Sequence, residues 1–170
     1  MAKDNINIET LNDLSHLSNV IYEALRFNPP AALVSHLHFE KDTKIGDLEV
    51  KAFDAMTIDI FHLHFNSKYW QDPKKFNPNR FDPAHPAALT PDGKKRPQAC
   101  WLPFNGGRRI CFGKTFAELV LKMINTMLAQ SFNFEFSEKG KYDENNLPYF
   151  VIGASHYPKV PMKLTKHKKD

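Results

Sequence analysis

Cysteine is scarce in this chain: of 170 residues only two, Cys100 and Cys111, are cysteine. Two thiols cannot build the disulfide framework of a small secreted domain, so a reducing compartment is the default. No apolar run is long enough to cross a bilayer, and no signal-peptide pattern opens the sequence. Nothing in these residues is therefore expected to anchor the protein to a membrane. A net charge of +4 is modest. No basic stripe interleaves with aromatics, which argues against a nucleic-acid partner. Much of the positive excess sits in KLTKHKKD at the end, a stretch expected to be solvated and frayed, with 166–170 as a basic tail. Internal repeats and low-complexity blocks are also lacking.

What is present argues for an ordered chain. Hydrophobic residues make up 42% and charged residues 25%, which excludes wholesale disorder. Fourteen phenylalanines supply a core. The length suits one domain, or one piece of a larger one.

Leu11, Leu14, Leu17, Ile21 and Leu25 recur at helical steps and predict one amphipathic helix. Asn28, Pro29 and Pro30 stop it. AALVSHLHF and LEVKAF predict strands, and MTIDIFHLHF begins as another. Between 66 and 103 the pattern dissolves among prolines; a loop of that length is usually functional or disordered. A long helix is expected over 114–130, with Phe116, Leu119, Val120, Met123, Ile124, Met127 and Leu128 as its buried face. FNFEF and YFVIG suggest short strands, with a turn at Lys139 and Gly140.

The stretch FNGGRRICFG, just before the long helix, gathers three glycines, two arginines and a cysteine. A helix N-terminus and nearby cations both favour the thiolate form of cysteine. Cys111 has Arg108 and Arg109 before it and the helix after it. Gly106 and Gly107 permit positive φ, and Gly113 lets a flat object approach the helix start. These features describe a cradle that points a thiolate outward beside positive charge, suited to a metal-centred cofactor with acidic groups. Other readings of the same residues are a small buried cysteine, a nucleophilic cysteine, and anion binding by residues 106–109 at a helix start. Cys100 has no comparable setting and reads as structural.

Phe104, Gly107, Arg109, Cys111 and Gly113 spell F-x-x-G-x-R-x-C-x-G. Five fixed residues should coincide by chance in about one chain of this length in tens of thousands. The pattern resembles the signature of the cytochrome P-450 family. YEALRFNPP carries that family's E-x-x-R pair as Glu23 and Arg26, DPKKFNPNRF resembles its P-x-x-F-x-P-x-R-F element with Arg80, and LHFNSKYW resembles the preceding segment. E-x-x-R alone is weak, since about every second chain of this size should contain one by chance. On a helix the two residues form an ordinary ion pair opposite the leucine stripe, a solvated face if nothing covers it.

The resemblance implies an α+β fold, mainly α with small β sheets: the C-terminal part of the P-450 fold over 1–165. Its parts are the E-x-x-R helix, strands, a proline-rich meander, the cysteine loop and a long helix. It implies haem as cofactor, with Cys111 as the axial thiolate ligand of the iron. Arg109 matches the position that pairs with a haem propionate, His36 falls where a basic propionate partner often stands, and Phe104 should pack against the macrocycle. Glu23, Arg26 and Arg80 should form a buried triad. One departure is that Val120 stands where an acid often follows Ala117, with Glu118 nearby.

The implied activity is that of a monooxygenase, inserting one oxygen atom of O2 into a small lipophilic substrate with electrons from a reductase. Arg108, Lys114 and Lys122 could attract an acidic electron donor. An intact parent would sit at the endoplasmic reticulum membrane, facing the cytoplasm. The family's long central helix, and the acid–alcohol pair that delivers protons, are not among these residues, so no catalytic residue is assigned. The chain alone is expected to be marginal and sticky, and a catalytically inactive haem-binding or interaction module is the alternative. A further alternative is a metal site in which His36, His38, His62 and His64 converge from strands, where alternate residues share a face.

Overall fold

The computed structural model describes residues 7–138, 141–142, 149–152 and 155–167; the side chains of Ser35, His36 and 149–158 lie outside the described residues, as does the expected turn at 139–140. The leucine stripe folds as two helices, α1 (Ile8–Asn12) and α2 (Ser15–Phe27), not as one. Asn7 caps α1 with a capping box to Thr10, and the helix ends at Asp13. Asn12 and Asp13 compete with the backbone for hydrogen bonds and are poor helix formers. Leu14 takes φ −79 and ψ 68, which breaks the run. α2 ends at Asn28, whose N–H reaches Ala24 O before the two prolines.

Four antiparallel strand pairs follow the helices. β1 (Leu33–Leu37) pairs with β4 (Met56–Asp59), with an irregularity between Val34 and Leu37, and β2 (Thr43–Ile45) pairs with β3 (Leu48–Val50). β5 (Phe132–Phe136) pairs with β8 (Met162–Lys166), and β6 (Tyr149–Ile152) pairs with β7 (Ser155–Pro158). The last strand takes in part of the stretch expected to fray, and all its residues are exposed. Helix outweighs strand among the described residues, and the architecture is mixed helix with small antiparallel sheets.

MTIDIFHLHF changes type midway. Asp59 accepts from the His62 N–H and starts α3 (Ile60–His64). The long stretch that follows is ordered by 3₁₀ turns at Pro78–Phe81, Pro86–Ala88 and Gln98–Cys100. Its core is aromatic. Tyr22, Phe81 and Trp101 meet with ring centroids 5.2–5.7 Å apart, and Trp70 is fully buried. α2 packs against the turn at Pro78–Phe81, so the first long helix and the meander share one core.

The second long helix, α4 (Lys114–Ser131), does not bury the face expected of it. Phe116 is 73% exposed, and Met123, Ile124, Met127 and Leu128 are also exposed; Leu119 and Val120 are half-buried. Thr126 is its buried residue. α4 packs against α1, α2 and β5, and most of its apolar stripe is left exposed. The expected periodicity is real, but among the described residues the face is covered only in part.

Candidate functional site

Buried charges hold the meander that leads into the cysteine loop. Glu23 and Arg26 lie one turn apart on α2, and both are fully buried. Arg26 donates from Nε to Glu23 Oε2 at 2.7 Å and from Nη2 to Oε1 at 2.8 Å. Glu23 Oε1 also accepts from Arg80 Nε at 3.2 Å and from the Asn77 amide at 2.8 Å. The two arginines spend their other donors on loop carbonyls. Arg26 Nη1 reaches His64 O at 2.8 Å. Arg80 reaches the carbonyls of Gln71, Asp72 and Lys75. Burial pushes the Arg80 guanidinium down from its ordinary range, and the Glu23 charge opposes that. A solvated-face reading of Glu23 and Arg26 is thereby excluded: the meander covers them.

Arg96 was not singled out from the sequence, yet it ties the same loop together. Its guanidinium donates to the carbonyls of Tyr69, Arg80 and Ala87, at 3.2, 3.1 and 2.8 Å. It also lies 4.0 Å over the Trp70 ring. The available signal was a lone arginine beside a proline in a segment full of loop carbonyls. His64 is likewise fully buried. Its Nδ1 lies 3.1 Å from Arg26 O, and its Nε2 accepts the Leu102 N–H at 2.9 Å. Burial holds the His64 imidazole down to about 4, and the Arg26 charge adds to that.

The loop around Cys111 is shaped by its own backbone. Leu102 O accepts the Asn105 N–H at 3.1 Å, and Phe104 O accepts the Cys111 N–H at 2.8 Å, closing the loop. Asn105 and Gly107 take φ of +60 and +64 to make the reversal. A 3₁₀ turn at Gly107–Arg109 brings the chain back, and α4 starts at Lys114 with Gly113 as its N-cap. Cys111 is a free thiol and exposed, which excludes the reading of it as a small buried hydrophobe. Cys100 differs in kind: it is 2% exposed, and burial pushes its thiol up to about 11. A buried neutral thiol makes a poor ligand or nucleophile.

Arg109, Phe104 and Gly107 line a cavity of about 910 Å³ together with Val34, Leu37, Ile58 and Ile110. Cys111 and Gly113 follow on the same loop but are not among the residues that line the cavity. Arg109 is exposed and holds no ion pair among the described residues. His36 sits on β1, and its side chain lies outside the described residues. The four-histidine metal site does not form as a strand pair would have made it. His62 and His64 are on a helix, where alternate positions diverge. The His62 side chain is 84% exposed and paired with Asp59, while His64 is buried against Arg26 and Leu102. Among the described residues no cluster of three or more His, Cys, Asp or Glu could hold a metal ion.

The residues fit a flat, acidic, iron-bearing group on three counts. The cavity wall is mainly apolar, and of its cations Arg96, Arg109 and Lys114, Arg109 is exposed and holds no ion pair among the described residues. A thiol stands exposed at the loop's end. A Cβ added at Gly113 would meet only Cys111 Sγ, at 3.8 Å, and one at Gly107 would meet nothing within 4 Å. The space beside the thiol is thus left open by the chain.

Three comparisons bear on the origin of this arrangement. The family model for cytochrome P450 matches residues 1–159. Cytochrome P450 CYP72A613 of Trigonella foenum-graecum is 33% identical over 98% of this chain and 30% of its own length. The 11-oxo-beta-amyrin 30-oxidase of Glycyrrhiza uralensis is 37% identical over 80% of this chain and 25% of its own. The solved structure of retinoic acid-bound cyanobacterial CYP120A1 superposes with a TM-score of 0.80 at 29% identity, over 95% of this chain and 35% of that one. The chain therefore spans about a quarter to a third of the length of these relatives. Among the described residues no helix is long and apolar enough to cross a membrane.

Proposed function

We propose, from the premise that this chain belongs to the cytochrome P450 family, that it forms the haem-binding portion of a P450-type monooxygenase. Residues 1–165 are assigned to that portion and 166–170 to a basic tail. In family terms it is the C-terminal portion: E-x-x-R helix, strands, meander, cysteine loop and long helix. Cys111 would supply the thiolate ligand to the haem iron. Arg109 pairs with a haem carboxylate, with His36 as a second partner. Phe104 packs against the ring, while Gly107 and Gly113 keep side chains out of its way. Haem held by a thiolate supplies oxygen-activating chemistry, because the sulfur pushes electron density toward the iron.

The protein's own residues do the holding. Glu23, Arg26 and Arg80 fix the meander against α2, and the meander leads into the cysteine loop. The Phe104 carbonyl on the Cys111 amide sets the loop's closure. In the whole enzyme the reaction is insertion of one atom of O2 into a lipophilic organic substrate, with electrons from a reductase. The basic residues Arg108, Lys114 and Lys122 are on hand for an acidic donor. Alone, this chain is read as catalytically silent, a haem-binding or interaction module. The bare apolar face of α4 favours that view.

The single observation that carries the reading is an exposed free thiol at the end of a loop closed on its own amide, the same loop whose Phe104, Gly107 and Arg109 line a cavity. The test is to add hemin, reduce, and record the CO adduct of the wild type, Cys111→Ala and Cys100→Ala. Wild type and Cys100→Ala should show the long-wavelength band that gave the family its name, and Cys111→Ala should lack it. The same spectrum from wild type and Cys111→Ala would refute the assignment.

A further inference from the structure

We propose that His64 is a positioning residue: its neutral imidazole is a strut that joins the buried charges of α2 to the stem of the loop carrying Cys111. Both of its ring partners are backbone groups with fixed roles. Arg26 O can only accept, so Nδ1, at 3.1 Å, carries the proton. The Leu102 N–H can only donate, so Nε2, at 2.9 Å, is bare. One tautomer satisfies both contacts, and an imidazolium satisfies only one. Burial keeps the ring neutral at ordinary pH.

The strut has continuations at both ends. On one side Arg26 returns a bond from Nη1 to His64 O at 2.8 Å while gripping Glu23, so α2 and α3 are locked reciprocally. On the other side, Leu102 uses its N–H on His64 and its C=O on the Asn105 amide at 3.1 Å. Two residues after Leu102, Phe104 O receives the Cys111 amide at 2.8 Å. The stem of the thiol's loop is thus hydrogen-bonded to the end of α2 through this imidazole, next to the ring contact of Tyr22 with Trp101. A buried side chain that only filled space would need no such pair of opposed polar contacts.

The spectroscopic arm of the test rests on Cys111 as the iron ligand; the exchange arm does not. His64→Gln places an amide oxygen where Nε2 stands and keeps the acceptor for Leu102. His64→Asn reaches the Arg26 carbonyl but not Leu102. In the full 170-residue chain, amide exchange at Leu102 and Cys111 should be roughly tenfold faster or more in His64→Asn, because a buried donor loses its partner. It should stay near the wild-type rate in His64→Gln, and the Leu25 amide of α2 should be unchanged in both. With hemin and CO, His64→Asn should give a smaller share of the long-wavelength band, and His64→Gln should restore it. Equal exchange at Leu102 in the two variants, or acceleration that extends to Leu25, overturns the strut and makes His64 a packing residue. Absence of the band in wild type would sink the ligand assignment instead, and the Asn-versus-Gln exchange comparison would still decide the role of His64.

Discussion

Replacing Glu23 by Gln removes the anion from a site that holds two guanidinium groups. Glu23 and Arg26 are fully buried and Arg80 is 2% exposed. In the native protein one oxygen of Glu23 accepts from Arg26, Arg80 and the Asn77 amide, and the other from Arg26 Nε. Gln keeps one acceptor and turns the other into a donor aimed at a cation. Breaking a buried ion pair from one side costs about 3–5 kcal/mol, because the remaining charge is left uncompensated. Against a total stability of about 5–15 kcal/mol, that is a large share. A urea titration followed by circular dichroism is the assay, with the midpoint falling by about 1–3 M at unchanged slope. The sharper version is a cycle with Arg80→Met. With both partners altered, less charge is stranded, so the double variant should be less destabilised than the two single losses summed, by about 0.5–3 kcal/mol. A loss under about 1 kcal/mol for Glu23→Gln would place the pair with solvated surface ion pairs and refute the reasoning.

Acid should weaken the fold through His64. Its pKa falls from 6.5 to about 4 on folding, so the unfolded chain binds a proton the folded chain refuses. The stabilisation is whole above about pH 6.5 and is lost as pH drops toward 4, by roughly 3 kcal/mol in all. His64→Gln should flatten that window in pH-dependent urea titrations; an unchanged slope would contradict the assignment. Gly107→Ala forces a Cβ onto a φ of +64, at a cost of about 1–2 kcal/mol in the closed loop, and hemin titration should show weaker uptake. Uptake equal to wild type would show that the reversal at Gly107 does not matter. The exposed stripe of α4 should drive self-association. Phe116→Glu with Met127→Lys should raise the dissociation constant at least about tenfold in sedimentation experiments, and a wild-type chain that is monomeric throughout would refute the point.

Local patterns were legible where local forces decide. The 3.6-residue period of residues 114–131 and the proline stop after α2 follow from backbone sterics that act within a few residues. The break at Asp13 and the strand-to-helix switch at Asp59 turn on single caps, which a hydrophobic stripe does not report. Burial was less legible. Glu23 and Arg26 look like a surface pair by period, and what covers them is brought from afar: the turn at Pro78–Phe81, the His64 carbonyl and the Trp70 ring. The stripe of α4 looks like core and lies open, because a period states which residues share a face and not what meets it. At the site, the glycine pattern announced a reversal that the left-handed φ of Gly107 makes explicit. Arg96 left only a faint sequence signal and the two-sided bonding of His64 none, since their partners are backbone carbonyls and an amide, and backbone groups carry no residue identity to read.

The most direct measurement is iron-edge X-ray absorption on the hemin-loaded chain. The proposal predicts a sulfur atom in the iron's coordination shell in wild type and in Cys100→Ala, and its loss in Cys111→Ala. An iron shell of nitrogen and oxygen alone in wild type, or a sulfur that persists in Cys111→Ala, would contradict it.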